Sequence, residues 1–426
     1  MRYTIRYWIS GWCSFLCYLC YLTDIGGYME AISLKQLKDN VAAFYQEGVF
    51  DCDKQFEQLP LFKAPANAFE IVSKNDGSQQ KLLMPCAGQY SILFRGQSKD
   101  FSPCVPTLYR GNYTVADIFV ERLRLAVLIE LLDLPPVVKE VFIKNHWKVD
   151  YEGLAQHYGL KTAMLDFTSD IDVALFFAMC PYNPQTDSYE SVTTDNNTGV
   201  IFSISPIQMA MFGSTIPNLF SHKIEVIGLQ PFERPALQRG FALKMSEGED
   251  LQAWKCHFTF TKADSEEYLK KYDDGKELWC NDILVNKVKE IKNLTSFTPQ
   301  HFRRAFELAA LRGFSKTKIR AMLQEKKILI TNKASYPVFS INEKQNIIDS
   351  WNNFGEQKFF SRIVTRRMIT LNDSETNEQG EKRGRIKDEK PNIDINHISH
   401  IELLRAIQTG RLAPDGFEAR RPYSSV

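Results

Sequence analysis

The chain has 426 residues, of which 44% are hydrophobic and 24% charged, a composition typical of globular proteins with a sizeable core. Its 52 basic and 51 acidic residues leave a net charge of +1, so no overall field favours nucleic acid or an acidic membrane surface. Nine cysteines in a chain of this length form no disulfide framework, which excludes a small secreted scaffold and favours a reduced, cytoplasmic protein.

The first residues form an apolar leader. Residues 7–22 carry no charge and follow Arg2 and Arg6, as in a signal peptide, but no clean small-residue cleavage site follows them. A membrane-spanning helix needs about 20 residues, and this stretch is shorter. An ordinary amphipathic helix begins at Met29, so we expect translation to start there and residues 1–28 to lie upstream of it. Membrane anchoring through residues 7–22 is the alternative.

Strand and helix signals mix irregularly after this leader. In chain order the sequence predicts a helix from Met29, a loop over 73–80, a strand over 90–94, helices over 115–132 and 151–159, a strand over 163–167, a buried helix over 171–179, a polar loop over 181–198, and strands over 199–205 and 238–245. The strand over 90–94 is expected to deliver Arg95 and Gly96 at its end. Because no regular strand–helix–strand alternation is present, we expect an α+β fold.

The character of the chain changes in its second half. Thr298 and Ser315 are expected to cap two successive helices, and residues 298–330 carry a local net charge of +6. These basic helices are a candidate surface for nucleic acid or phosphate, and a solvated helix face is the alternative. The expected division is a leader over 1–28, a first domain over 29–250, a mainly helical region over 251–372, a charged linker over 373–395 and a short segment over 396–426.

Three blocks of the sequence resemble the FRG family, which is named for an aromatic-Arg-Gly signature, and together they cover about residues 94–245. The blocks are Phe94–Gln97 with Val105–Arg110, then Leu154–Leu160 running through Leu165–Thr168 to Ala174–Ala178, and finally Arg234–Phe241. The sequence departs from the family at two places. Lys161-Thr162-Ala163 stands where Pro-Thr-Arg is usual, and Phe167 stands where tryptophan is commoner.

The order of these blocks is also similar to that of ADP-ribosyltransferases of the Arg–Ser–Glu type. This resemblance implies a split sheet with flanking helices and NAD as the substrate. The guanidinium of Arg95, in a turn with Gly96 and Gln97, would capture the anionic pyrophosphate. Glycine would let the backbone approach the ligand. The hydroxyl of Thr168 or Ser169 would orient the nicotinamide ribose.

Departure of nicotinamide builds positive charge on the ribose, so the resemblance implies an acidic residue near the last strand. Its position falls on Glu233 or Gln238, and a glutamine cannot supply charge. His157 is a candidate general base, or else a hydrogen-bonded packing residue. Asp166 is a candidate cofactor-binding residue that we expect to pair with Arg95 or with backbone amides.

Structural roles remain open for several of these positions. Thr168 and Ser169 serve equally well as helix caps, and Arg95 serves equally well as a partner of a carboxylate. The pair His397 and His400 lies in a polar tail without nearby cysteines, so no metal site is predicted.

Two functional hypotheses follow. The first is an enzyme that binds NAD and transfers or hydrolyses its ADP-ribose, with an unknown protein or nucleic-acid acceptor, a chemistry that suits a toxin or defence effector. The second is a non-enzymatic module that binds a nucleotide or nucleic acid. The position of the basic helices relative to Arg95 and Thr168 discriminates between them.

Overall fold

The computed structural model describes residues 31–47, 68–73, 79–85, 92–135, 137–204, 223–251, 255–309, 313–370 and 412–419. The leader expected over 1–28 and the linker expected over 373–395 lie outside the described residues. Within the described ranges, no helix is long and apolar enough to cross a membrane.

The strands are, in chain order, β1 (Ile32–Ser33), β2 (Phe69–Ser73), β3 (Lys81–Pro85), β4 (Leu93–Gln97), β5 (Met164–Thr168), β6 (Tyr182–Asn183), β7 (Ser188–Tyr189), β8 (Asn197–Ile204), β9 (Lys223–Val226), β10 (Gly240–Lys244), β11 (Lys255–Phe260), β12 (Ser296–Phe297), β13 (Leu329–Ile330), β14 (Ile363–Thr370) and β15 (Leu412–Ala419). Seven of them form the main sheet, in the order β1-β11-β8-β4-β5-β10-β9. Neighbours in this sheet are antiparallel, except for the parallel pair of β1 and β11 at one edge.

The α-helices are, in chain order, α1 (Leu34–Glu47), α2 (Val115–Leu132), α3 (Tyr151–His157), α4 (Ile171–Met179), α5 (Arg234–Leu237), α6 (Lys262–Lys271), α7 (Ile283–Lys292), α8 (Pro299–Ala309), α9 (Lys316–Glu325), α10 (Ile341–Ser350) and α11 (Glu356–Ser361). A 3₁₀ turn spans Thr107–Tyr109, and π-helical segments span Val137–Ile143 and Trp351–Gly355. A second, four-stranded sheet has the order β15-β14-β2-β3, while β6 with β7 and β12 with β13 form isolated pairs. The fold is therefore α+β, as the irregular pattern predicts.

Two helices start where the sequence predicts, because their first turns carry strong local signals. The Thr114 hydroxyl accepts a hydrogen bond from the Asp117 amide, and the Asp117 carboxylate accepts one from the Thr114 amide, which makes a capping box at the start of α2. Asp170 caps α4 by accepting from the Asp172 amide. Both helices are apolar almost all round, and both are consequently buried.

The two faces of the main sheet pack differently. Phe94 of β4 faces one core, which contains α4 and parts of α1 and α6. Its neighbour Leu93 points to the opposite face, as strand alternation requires, and packs there with Leu165 and Phe202. A third core surrounds α2 and includes side chains from α3, α7, α8 and α9.

Two features differ from the predicted domain division. The main sheet continues past residue 250, because β11 pairs with β8 over six residues. Helices α7, α8 and α9 share a core with α2 rather than forming a separate region. The boundary expected at 250/251 therefore falls inside one packed unit. The polar loop expected over 181–198 is also interrupted by the short hairpin of β6 and β7.

Candidate ligand site at the split of the main sheet

The main sheet opens between β4 and β5. β4 pairs with β8 along all five of its residues, but it pairs with β5 only where Phe94 faces Thr168. β5 instead pairs with β10 over its full length. Beyond the single bridge the two strands separate, and Arg95 and Asp166 lie at the opening. β4 and β5 thus remain neighbours in one sheet but share a single residue pair, and this local gap is called the split.

Arg95 lies in the middle of β4, not at the strand end that the sequence predicts. Its Nη1 atom donates to the carbonyl oxygen of Asp166 over 3.0 Å. The guanidinium thus binds a main-chain acceptor of β5 that forms no strand pairing with β4. The Nε atom of Arg95 is buried without a hydrogen-bond partner. The expected pairing of Arg95 with the Asp166 carboxylate is not formed, because the guanidinium reaches the main chain of that residue.

The close packing of α4 on β4 requires a glycine at position 96. A Cβ atom at this position would lie 1.8 Å from the carbonyl oxygen of Ala174 and 2.9 Å from the amide nitrogen of Ala178. Both atoms belong to the backbone of α4, which cannot move aside as a flexible side chain can. The close approach expected for a ligand at Gly96 is made by this helix, because α4 packs directly on the strand.

Gln97 ends β4 with an incompletely satisfied amide. Its Nε2 atom lies 3.7 Å from the sulfur of Cys104, and its Oε1 atom is buried without a partner. By strand alternation, Gln97 lies on the same face of the sheet as Arg95. Arg95 and Gln97 therefore both point to that face, and each has one buried polar atom without a hydrogen-bond partner.

Asp166 presents a half-buried carboxylate on the opposite face of the split. Its Oδ2 atom accepts a hydrogen bond from Nε2 of Gln156 over 3.1 Å. Its Oδ1 atom is buried without a partner and lies 3.9 Å from Nε2 of His157, too far for a hydrogen bond. Gln156 is itself fixed, since Thr162 donates to its carbonyl oxygen.

His157 is buried between β10 and α5. Its Nδ1 atom lies 3.1 Å from Oε1 of Gln238, and its Nε2 atom has no hydrogen-bond partner. Burial lowers the pKa of His157; the Asp166 carboxylate opposes this shift, and the positive charge of Arg234 adds to it. The imidazole is therefore neutral at neutral pH.

Thr168 at the end of β5, and Ser169 and Asp170 after it, are residue types that commonly cap helices, and each has a different role here. Asp170 is the cap of α4, and the hydroxyl of Thr168 accepts from the Asp170 amide over 3.0 Å. The hydroxyl of Ser169 is buried and has no partner. The capping role open to both residues is therefore taken by neither: Thr168 supports the turn, and the Ser169 hydroxyl is buried without a partner next to the Phe94–Thr168 bridge.

The two candidates for the acidic position lie elsewhere. Glu233 precedes α5 and forms an ion pair with Nζ of Lys358 over 2.8 Å, which ties it to the C-terminal helices. Gln238 is buried, and both ends of its amide are occupied: Nε2 donates to the Leu278 carbonyl over 2.9 Å, and Oε1 faces His157. Gln238 thus contacts the Nδ1 side of His157, whereas Asp166 lies on its Nε2 side. Of Glu233, Gln238 and Asp166, it is Asp166 that presents a carboxylate at the split.

Several residues of the site carried no assigned role in the sequence. Arg234 is fully buried and lies between the rings of Tyr158 and Trp279, with its guanidinium carbon 4.4 and 4.3 Å from their centroids. It also donates to the carbonyl oxygens of His157 and Cys280. Gln156 and Arg234 both lie in the blocks that carry the family resemblance, so their positions were visible although their partners were not.

Arg239 is a further residue of the third block that carried no assigned role in the sequence. Its φ of +47° is unusual for a non-glycine residue. Its carbonyl oxygen accepts from the Ser169 amide, and its guanidinium lies 3.7 Å from the Asp170 carboxylate. This unfavourable backbone conformation thus brings the Arg239 main chain to the turn that follows β5.

The basic helices α8 and α9 pack on α2 and so belong to the helical layer. Three of their cations lie over aromatic rings at 4.8–5.4 Å: Lys316 over Phe306, Lys318 over Phe314 and Arg320 over Phe302. Lys326 pairs with Asp117 of α2. Much of the local positive charge thus covers apolar surface, as long basic side chains commonly do. In the described ranges, no group of His, Cys, Asp and Glu residues could hold a metal ion.

The fold and the site define an α+β protein with a polar, partly unsatisfied cluster at a split in its main sheet. Residues 90–187 match the family model of the FRG domain. The chain therefore carries an FRG domain, and Arg95, His157, Asp166 and Ser169 lie within the matched residues. No curated protein and no solved structure gives a significant match to the chain.

Proposed function

We propose that the protein binds NAD at the split between β4 and β5 and transfers or hydrolyses its ADP-ribose. One observation carries this proposal. Among the side chains that the structure describes, seven buried nitrogen or oxygen atoms lack a hydrogen-bond partner, and five of them belong to candidate site residues: Arg95, Gln97, His157, Asp166 and Ser169. Buried polar groups are nearly always paired, so the concentration of unpaired ones in the segment that matches the FRG model favours a ligand site there.

The cationic part of the cluster suits an anionic ligand. Arg95 uses Nη1 for the Asp166 carbonyl and keeps Nε free, so its guanidinium retains a donor for a phosphate oxygen. Arg239 is a second cation near the end of β5, where its guanidinium lies 3.7 Å from the Asp170 carboxylate. The hydroxyl of Ser169 is the candidate partner of the nicotinamide ribose.

The carboxylate of this mechanism is Asp166. It is partly exposed, at 34% for its side chain, and one of its oxygens has no partner. Glu233 is paired with Lys358, and Gln238 is neutral and fully engaged. As the bond to nicotinamide breaks, positive charge develops on the ribose, and a negative carboxylate held nearby stabilises this state more than the bound substrate.

One alternative is favoured by a specific observation. The position that the resemblance to ADP-ribosyltransferases gives to an acidic residue includes Gln238, which is neutral and buried. A site without that charge suits nucleotide binding without turnover. The unsatisfied atoms of Arg95 and Ser169 would serve such a binding module equally well, so turnover has to be measured separately from binding.

The test is incubation of the full chain with NAD labelled in its adenylate part, scoring nicotinamide release and label transfer to protein and to nucleic acid. The variants are Arg95→Ala and Asp166→Asn, with Arg320→Ala and Asp172→Asn as matched controls outside the site. We expect each site variant to lower nicotinamide release by about 100-fold, a typical loss for one electrostatic group, and each control to retain it.

Release that persists in Asp166→Asn but disappears in Glu233→Gln would contradict the assignment of the carboxylate. Absence of release in the wild-type protein, with NAD binding that depends on Arg95, would favour the binding module. Absence of both release and binding would sink the NAD proposal altogether.

A further inference from the structure

The protonation of His157 is fixed by its neighbour Gln238. Nε2 of Gln238 donates to the carbonyl oxygen of Leu278, so the amide must turn its oxygen toward the imidazole. That oxygen lies 3.1 Å from Nδ1 of His157 and can only accept. The hydrogen of the neutral imidazole is therefore on Nδ1, and Nε2 carries a lone pair.

This lone pair faces another acceptor. Nε2 of His157 lies 3.9 Å from Oδ1 of Asp166, and both atoms are buried without a hydrogen-bond partner. Gly240 covers the imidazole closely, since a Cβ atom on it would lie 2.9 Å from Nε2. Two buried acceptors that face each other destabilise the folded state. A hydrogen-bond donor is missing between these two acceptors, and the close approach of Gly240 leaves little room there for a bound molecule.

We propose that His157 and Asp166 form a site for one proton, and that Gln238 is a positioning residue that directs this proton to Nε2. A proton at Nε2 converts the pair of acceptors into an imidazolium and a carboxylate that attract each other, and closure of the 3.9 Å gap lets Nε2 donate to Oδ1. The imidazolium then uses both nitrogens as donors, one to Gln238 and one to Asp166. The residues Gln156 and His157 of the second signature block thus hold the two oxygens of one carboxylate.

Burial and three charged groups together set the pKa of His157. The groups that face it are Asp166 from β5, Asp150 from the start of α3, and Arg234 from α5. Burial is the largest influence and lowers the pKa of His157, with Arg234 acting in the same direction and the two carboxylates opposing. A vacant proton site can accept a proton that a reaction releases.

The chemical use of this site rests on the proposed function. When ADP-ribose is transferred, the bond between the ribose C1′ and the nicotinamide nitrogen breaks, and nicotinamide leaves as a neutral molecule with the electron pair. The acceptor oxygen bonds to C1′ and loses its hydrogen as a proton. The Asp166 carboxylate receives this proton and shares it with Nε2 of His157. Charge is conserved, since the positive charge of the nicotinamide ring ends as the bound proton.

The proton site is tested without NAD by Asp166→Asn. When the side chain closes the 3.9 Å gap, the amide nitrogen of asparagine can donate to Nε2 of His157 while its oxygen still accepts from Gln156, and Nε2 then has a donor. We expect the melting temperature at pH 8 to rise by about 1–4 °C. Asp172→Asn is the matched control. It breaks the contacts of that carboxylate with Lys271 and Tyr268 and is expected to lower the melting temperature.

The difference in melting temperature between Asp166→Asn and the wild type is expected to shrink as the pH falls below about 6.5, the pKa of histidine in the unfolded chain. A buried histidine with a lowered pKa loses stability as the pH falls, and the variant no longer has the carboxylate that opposes this loss. A melting temperature that falls in Asp166→Asn at pH 8, as in Asp172→Asn, would overturn the proposal.

A second measurement reads the tautomer directly. In the ¹⁵N spectrum of the histidine side chains, with His157→Gln identifying the signal, we expect the hydrogen on Nδ1 at pH 8 and a second hydrogen on Nε2 at low pH. Gln238→Leu should remove the preference for Nδ1. A hydrogen on Nε2 at pH 8 in the wild-type protein would refute the site. Both measurements need no substrate, so a failure of the proposed function would leave their outcome unchanged.

Discussion

Replacement of Gly96 by alanine is a direct test of why the signature needs glycine. The added Cβ atom would lie 1.8 Å from the carbonyl oxygen of Ala174, whereas ordinary contacts between carbon and oxygen are about 3.3–3.6 Å. α4 would have to retreat by about 1.5 Å, the difference between these distances. Overpacking typically costs about 1–3 kcal/mol, and we expect the upper end because the obstacle is helix backbone.

The assay is equilibrium unfolding in urea, followed by tryptophan fluorescence. Gly96→Ala is expected to lower the free energy of unfolding by about 3 kcal/mol. Gly111→Ala is the control, because Gly111 has a φ of +73° with open space around it, and its cost is limited to backbone strain of about 1–2 kcal/mol. If Gly96→Ala kept wild-type stability but bound NAD more weakly, the helix-packing reason would be refuted and a ligand-approach role would replace it.

Three further outcomes are expected. Arg234→Ala removes a buried cation from between two aromatic rings and orphans two carbonyl oxygens, so the free energy of unfolding in urea should fall by about 3 kcal/mol or more; a loss below 1 kcal/mol would contradict this. Burial alone would raise the pKa of Glu152, but Arg122 and Lys244 outweigh it and lower the pKa. The stability from this carboxylate is present above its unfolded pKa of about 4.3 and is lost as the pH falls. Glu152→Gln should therefore flatten the fall of melting temperature below pH 5. An unchanged profile would count against the ion pairs of Glu152 with Arg122 and Lys244. Ser169→Ala deletes an unpaired buried hydroxyl and should leave the melting temperature unchanged or higher, while weakening NAD binding measured by calorimetry; equal binding would remove Ser169 from the site.

The sequence predicts the locally determined parts of the fold well. The bounds of α2 and α4 agree with the predicted ranges, because each helix combines a cap with a long apolar run. The cap at Ser315 is confirmed by its hydrogen bond from the Lys318 amide. These signals lie within a few residues of the element they define, so no knowledge of the tertiary structure is needed.

The split of the sheet could not be predicted from local signals. It arises because β5 follows β10 over five residues and leaves β4 after one, and this register depends on strands more than 70 residues apart in the chain. The strand boundary at Arg95 was misplaced for the same reason, since pairing with β8 extends β4 to Gln97. Strand ends are set by partners, which a single sequence does not display.

The candidate residues were visible individually, but their roles depend on contacts across the fold. Gln238 was a candidate for the charge-stabilising position and instead orients His157 from behind, through a contact with Leu278 forty residues away. Asp166 was expected to pair with Arg95 or with backbone amides, and its carboxylate instead accepts from Gln156 and lies 3.9 Å from His157. Residue types indicated a polar site, and the packing decided which carboxylate it contains.

The most direct test of the central claim is calorimetric titration of NAD into the wild-type protein and into Arg95→Ala, with Arg320→Ala as the control for loss of a positive charge. We predict saturable binding of one NAD per chain and a dissociation constant that rises by about 10–100-fold in Arg95→Ala, as the loss of a charge-assisted hydrogen bond requires. The Arg320→Ala protein should bind as the wild type does. Equal affinity in all three proteins, or no binding by the wild type, would contradict the account.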